Sequence, residues 1–303
     1  MTLATPLTVD SLTKVYGDLT ALRDVSFTAQ PGRVTGFLGP NGAGKTSTLR
    51  ILLGLNRATA GTALVDGQRY RELEHPARRV GASLSADVFH PGRSGRAHLM
   101  IQALAAGIDR RRVDTVLDLV GLAAAGRRAV GGYSLGMRQR LGLAGALLGD
   151  PSAIVLDEPI NGLDPDGIRW MRSLLRSLAA EGRTVLLSSH VLSEVQQTVD
   201  DVVVIRAGRI IADGTLESLE SGTRRVRVDA DDRDALAAAA RRAGGEVAVG
   251  GGALVVTGID AVRVGEIARD ERIALRHLSD DSESLEDVFL ALTGDVTGDE
   301  VDR

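Results

Sequence analysis

Two hydrophobic rhythms alternate along this chain. From Leu7 to Ala29 apolar and polar residues take turns on either side of Tyr16-Gly17-Asp18, which predicts two strands joined by a turn. Arg33 to Leu38 is a short apolar run that predicts a buried strand, and Thr46 to Leu53 predicts the helix after it. Gly61 to Gly67 predicts a further strand ending in an Asp-Gly turn. From Pro91 to Leu148 the spacing turns helical, with apolar faces in Ala97 to Ala106 and Val113 to Val120. Strand and helix then alternate over Ala153 to Leu156, Ile168 to Ala180 and Thr184 to Ser188, followed by a hairpin from Val202 to Ala212 around Ala207-Gly208-Arg209. Residues 1–222 therefore read as a parallel sheet interrupted by a helical insertion over about 90–148.

Residues 223–303 have their own order. Arg225 to Val228 predicts a strand and Asp231 to Ala243 an Ala-rich helix. Two strands, Val247 to Val249 and Ala253 to Val256, flank a glycine turn. A helix from Ala261 to Arg269, a strand from Ala274 to Leu278 and a closing helix from Ser284 to Leu292 complete the segment. The order β-α-β-β-α-β suggests a small split-βαβ accessory domain of α+β type.

Composition narrows the classes. At 303 residues the chain has room for one large and one smaller domain. Hydrophobic residues make up 44% and aromatics only 3%, so the core must be built from Leu, Val and Ala. A net charge of −4 argues against a broad nucleic-acid surface. The absence of cysteine excludes disulfides and thiol chemistry, and it fits the cytosol. No segment resembles a signal peptide, and no apolar run approaches the roughly 18 residues a membrane helix needs.

The richest chemistry lies in Gly39-Pro40-Asn41-Gly42-Ala43-Gly44-Lys45-Thr46-Ser47, which fits the phosphate-loop spacing G-x-x-x-x-G-K-[ST]. Small residues let successive backbone N–H groups turn inward around a triphosphate, and the following helix aims its positive end at the same charges. Lys45 would neutralise phosphate oxygens, and the Thr46 hydroxyl would ligate Mg²⁺. Among 36 basic residues, lysine occurs only at Lys14 and Lys45. A compact ammonium thus stands where a planar guanidinium would not fit. The apolar run Ile154-Val155-Leu156 ends in Asp157-Glu158. Asp157 would hold the Mg²⁺ through its water shell, and Glu158 would act as general base on the attacking water.

Six features in one order resemble the ATP-binding subunit of an ATP-binding cassette (ABC) transporter. They are Tyr16, the phosphate loop, Tyr133-Ser134-Leu135-Gly136-Met137-Arg138-Gln139, Asp157-Glu158-Pro159, Asn161-Gly162-Leu163-Asp164 and Ser188-Ser189-His190. Leu135 and Met137 depart from the usual signature Leu-Ser-Gly-Gly-Gln. The resemblance implies a P-loop ATPase core with an antiparallel β subdomain and a helical insertion. It implies ATP and Mg²⁺ as cofactors and a head-to-tail pair of copies sandwiching two ATP molecules. Tyr16 would stack on adenine, and Ser134 and Gly136 would grip the γ-phosphate held by the other copy. Asp164 would link the two sites across the pair, and His190 would hydrogen-bond the γ-phosphate. His75, His90, His98 and His277 lack such context and read as ordinary residues.

The tail Ser284-Leu285-Glu286-Asp287-Val288-Phe289-Leu290 is similar to that of subunits paired with drug, antibiotic or polysaccharide exporters. The expected partner is a separate membrane permease, with the chain at the cytoplasmic face of the membrane and no nucleic acid bound. Two rival readings are a soluble ABC-type ATPase acting on ribosomes or DNA, and a module that binds ATP but barely hydrolyses it. The family usually places a Gln at the end of the strand that Val80-Gly81-Ala82-Ser83-Leu84 resembles. Here Ser85 takes that position, with Asp87 two residues on as the alternative ligand.

Overall fold

A computed structural model describes residues 5–85, 89–191, 195–221, 225–250 and 253–280. The chain divides into two compact units, Met1–Gly214 and Thr215–Arg303. The sequence reading set the division at 222/223. The short helix Leu216–Ser221 counts with the second unit.

In the first unit, β1 (Leu7–Tyr16), β2 (Leu19–Ala29) and β4 (Ala60–Val65) form an antiparallel sheet in the order β2-β1-β4. The larger sheet comprises β3 (Val34–Leu38), β5 (Val80–Ser83), β6 (Ala153–Asp157), β7 (Thr184–Ser189), β8 (Asp201–Arg206) and β9 (Arg209–Thr215). Its order is β5-β6-β7-β3-β8-β9, and β5, β6, β7, β3 and β8 pair in parallel. The central strands β3 and β7 are buried over their whole length, with the polar Thr35, Thr184, Ser188 and Ser189 buried beside their apolar residues. Ala207 (φ 46°) and Gly208 (φ 76°) close the predicted hairpin between β8 and β9 with two left-handed residues, the backbone of a type I′ turn.

Phe27 on β2 stacks on Phe37 on β3 with ring centroids 4.9 Å apart, joining the two sheets. Around them Leu7, Leu12, Leu22, Leu49, Leu52, Val155 and Ile205 are fully buried in one core. Each such aliphatic side chain contributes about 1.5–3 kcal/mol by leaving water.

Helix α1 (Lys45–Leu52) leaves the phosphate loop, and α2 (Pro76–Arg79) is a single turn before β5. The predicted insertion contains α3 (Gly95–Ala105), α4 (Arg111–Leu119) and α5 (Leu135–Leu147), with Leu99, Val113, Val116 and Leu141 buried. Helix α6 (Pro165–Ala180) lies between β6 and β7.

The second unit holds α7 (Leu216–Ser221), β10 (Arg225–Ala230), α8 (Arg233–Arg242), β11 (Glu246–Gly250), β12 (Ala253–Thr257), α9 (Ala261–Asp270) and β13 (Leu275–Asp280). Its antiparallel sheet runs β11-β12-β10-β13, the strand order of a split βαβ fold. Val226, Val228, Leu236, Val256 and Val264 make a core of its own. The expected closing helix, Ser284 to Leu292, lies outside the described residues.

Candidate functional site

Strand register brings the candidate residues together. Leu38 pairs with Ser189 and Asp157 with Ser188, so β3, β6 and β7 end at one level. The phosphate loop, the carboxylate pair and His190 all leave that carboxyl edge, where parallel α/β sheets place their ligands.

The phosphate loop has little room for side chains. A Cβ on Gly39 would lie 2.2 Å from the Ile205 carbonyl oxygen, and Gly44 takes φ 111° as the residue before α1. Lys45 is 5% exposed. Its Nζ donates to the carbonyls of Gly39 at 2.6 Å and Pro40 at 3.3 Å. These bonds hold the ammonium in the hollow of its own loop.

Thr46 Oγ1 donates to Asp157 Oδ2 at 2.8 Å. Asp157 Oδ1 accepts from the Ser188 hydroxyl, whose oxygen in turn accepts the Glu158 backbone N–H at 3.0 Å. Ser188 therefore fixes both acidic residues. Glu158 has φ 49°, a left-handed backbone that side chains seldom adopt, and this turns its carboxylate across the site. Glu158 Oε1 lies 3.4 Å from Lys45 Nζ, and Oε2 lies 2.9 Å from His190 Nδ1. A carboxylate held between an ammonium and an imidazole is fixed in its orientation, so that it can stand as general base toward water at the site.

The donor set also fits Mg²⁺. This ion takes one or two protein oxygens and completes its octahedron with phosphates and water. Thr46 and Asp157 supply one hydroxyl and one carboxylate, and among the described residues no cluster of three or more His, Asp or Glu side chains stands ready to hold a metal alone. The strand β5 pairs Ser83 with Leu156, so Ser85 follows just past the level of Asp157. Asp87 lies outside the described residues.

Other expected residues stand apart from this cluster. The Tyr16 ring is 42% exposed, with Lys14 Nζ 4.5 Å from its centroid and its hydroxyl accepting from Asn56 Nδ2 at 2.9 Å. Ser134 caps α5 by accepting from the Met137 N–H at 3.2 Å, and Asp164 caps α6 by accepting from Gly167 N–H at 2.9 Å. Neither shares a hydrogen bond or ion pair with Lys45, Glu158 or His190. Gly136 lies in the first turn of α5, where an added Cβ would meet Leu163 Cδ2 at 3.3 Å.

Sequence reading did not single out two contributors. Ser188 entered only as part of a motif, and its grip on both carboxylates depends on β6 and β7 being neighbours. Gln139 donates its Nε2 to the carbonyls of Glu158 at 3.3 Å and Asn161 at 3.5 Å. No local signal announces either role.

A phosphate loop, a hydroxyl–carboxylate pair and a bracketed glutamate on one parallel-sheet edge define a P-loop nucleotide hydrolase. Residues 22–161 match the family model described as ABC transporter. The chain is 40% identical over 226 residues to the bacitracin transport ATP-binding protein BcrA of Bacillus licheniformis, covering 74% of each. It is 35% identical over 295 residues to BcrA of Enterococcus faecalis, covering 94% of this chain and 95% of that one. A solved ATP-binding subunit of an ABC transporter superposes with a TM-score of 0.64 at 28% identity, covering 71% of this chain and 91% of that one. The chain belongs to the ATP-binding subunits of ABC transporters, and it is an ATPase. Residues 224–286 match a second model, described as a domain of unknown function. Among the described residues no helix is long and apolar enough to cross a membrane.

Proposed function

We propose that this chain powers the export of an antibiotic-like compound through a separate membrane permease, working as a pair of copies at the cytoplasmic face. The observation that carries the reading is Glu158, held between Lys45 and His190 beside the Thr46–Asp157 pair. The likeness to a bacitracin transport protein over nearly the whole chain supports an antibiotic-like compound as the substrate class.

Each residue has a part. Lys45 and backbone N–H groups of the loop from Asn41 to Thr46 bind the β- and γ-phosphates, and Tyr16 offers a ring face to adenine. Thr46 and Asp157 hold Mg²⁺, which when bound neutralises charge developing on the phosphates. Glu158 takes a proton from water as it attacks the γ-phosphorus, the bond to the β–γ bridging oxygen breaks and ADP leaves, and His190 orients Glu158 and meets the γ-phosphate. Ser134 and Gly136, which share no hydrogen bond or ion pair with Lys45 within one copy, face the nucleotide of the other, with Asp164 crossing between the sites. ATP closes such a pair only if it binds the closed form more tightly than the open one, and ADP reopens it only if that preference is weaker for ADP.

The test is co-purification with the product of a neighbouring reading frame that has about six membrane spans, followed by ATPase assays in lipid with bacitracin-like peptides. Peptide-stimulated ATPase activity in the complex is the expected result. Failure to associate with that permease, together with activity stimulated by ribosomes or DNA, would overturn the reading.

A further inference from the structure

Arg140 and Trp170 each stand six residues beyond the capping residue of their helix, Ser134 for α5 and Asp164 for α6. The Arg140 guanidinium carbon lies 4.1 Å from the Trp170 ring centroid. The same guanidinium donates Nη1 to the carbonyl of Val120, at the end of α4, at 3.1 Å. One side chain thus touches three helices.

The N-terminal ends of α5 and α6 are already in close contact. A Cβ on Gly162 would lie 2.1 Å from Leu135 Cδ2, and one on Gly136 would lie 3.3 Å from Leu163 Cδ2. Gln139 adds its hydrogen bonds to the carbonyls of Glu158 and Asn161. A single close contact leaves a helix free to pivot about it. A second one farther along, where a cation lies over an aromatic face, removes that freedom.

We propose that Arg140 is a positioning residue: through its stack on Trp170 it sets the direction of α5, and so the aim of Ser134, relative to the turn that carries Glu158. The inference rests on the reading in which Ser134 grips the nucleotide of a second copy. Arg140 touches no reacting atom. Its loss leaves the phosphate loop of its own copy intact, so the cost falls on turnover and not on the first binding of ATP.

The experiment uses the 303-residue chain with Trp170→Leu, Trp170→Phe, Arg140→Gln and the double variant Arg140→Gln/Trp170→Leu. Leucine keeps apolar bulk without a π face, whereas phenylalanine keeps the face. The expected result is a kcat about tenfold lower for Trp170→Leu and for Arg140→Gln, with the KM for ATP changed by less than about twofold. Trp170→Phe restores most of kcat, and the double variant is no worse than either single one. Trp170 is the only tryptophan, so its emission reports the stack directly, and acrylamide quenching rises in Arg140→Gln.

Additive losses, equal losses in the leucine and phenylalanine variants, unchanged quenching, or a kcat within about twofold of the parent would each overturn the inference. Should Trp170→Leu fail to fold, Arg140→Gln and Trp170→Phe decide the matter on the same readouts. Failure of the underlying reading of Ser134 is distinguishable, because Ser134→Ala would then leave kcat within about twofold of the parent while Arg140→Gln still changes the quenching of Trp170.

Discussion

Thr46 Oγ1 donates a 2.8 Å hydrogen bond to Asp157 Oδ2, joining two oxygen donors that stand 111 residues apart. The sheet order makes this contact, since β6 and β3 both flank β7. Both donors are held in place by the fold, Thr46 at the first turn of α1 and Asp157 by the Ser188 hydroxyl. A divalent cation entering between them therefore meets oxygens that need little rearrangement.

Glu158→Gln keeps ATP binding and lowers turnover by about a hundredfold or more, because an amide cannot take the proton of water. ATP then accumulates in the closed pair, visible as an ATP-dependent dimer on size-exclusion chromatography. Near-parental ATPase activity would remove Glu158 from its role as base.

Lys45→Arg weakens ATP binding by about tenfold or more although charge is kept. The ammonium is 5% exposed and 2.6 Å from the Gly39 carbonyl, which leaves no room for a planar guanidinium. Titration with a fluorescent ATP analogue checks this, and unchanged affinity would refute the account of the loop.

Ser85→Gln lowers the Mg²⁺ concentration needed for half-maximal ATPase activity several-fold. Serine is too short to reach the metal except through a water, and glutamine restores the missing oxygen. A Mg²⁺ titration decides between the two candidates. An unchanged requirement in Ser85→Gln, with a sharply raised one in Asp87→Ala, would make Asp87 the ligand.

A chain ending at Ser221 folds and binds ATP, with a melting temperature within about 4 °C of the first unit's transition in the whole chain. The two core clusters, one around Phe37 and one around Val226, share no residue, and β9 is complete by Thr215. Calorimetry with nucleotide titration tests it. A soluble shortened chain that no longer binds ATP would contradict the division.

Much of this architecture is local and was therefore legible. Alternation gave β1 and β2, and the phosphate-loop spacing gave β3 and α1 within a residue. Helix α6 starts at Pro165 and not at the expected Ile168, because Asp164 caps it and proline suits the first helical position. What the sequence withheld is non-local. Nothing in the residues of β3 says that it lies between β7 and β8, and that placement decides which side chains meet Glu158. The positive φ of Glu158 was equally hidden, since a glutamate carries no conformational signature of the kind glycine does. The grip of Gln139 on two carbonyls and the stack of Arg140 on Trp170 likewise needed helix positions that no single segment encodes.

The scarcity of lysine gives the molecule a practical property. Lys45 is closed inside the phosphate loop, while Lys14, half-buried, lies over the ring of Tyr16. Every other basic side chain of the Lys and Arg set is arginine. An amine-selective reagent therefore meets Lys14 as the accessible lysine side chain, alongside the α-amino group of the chain, and leaves the arginine-rich surface unmodified. A probe attached to Lys14 sits against the ring of Tyr16, a candidate nucleotide contact, where its signal would follow the arrival of the base.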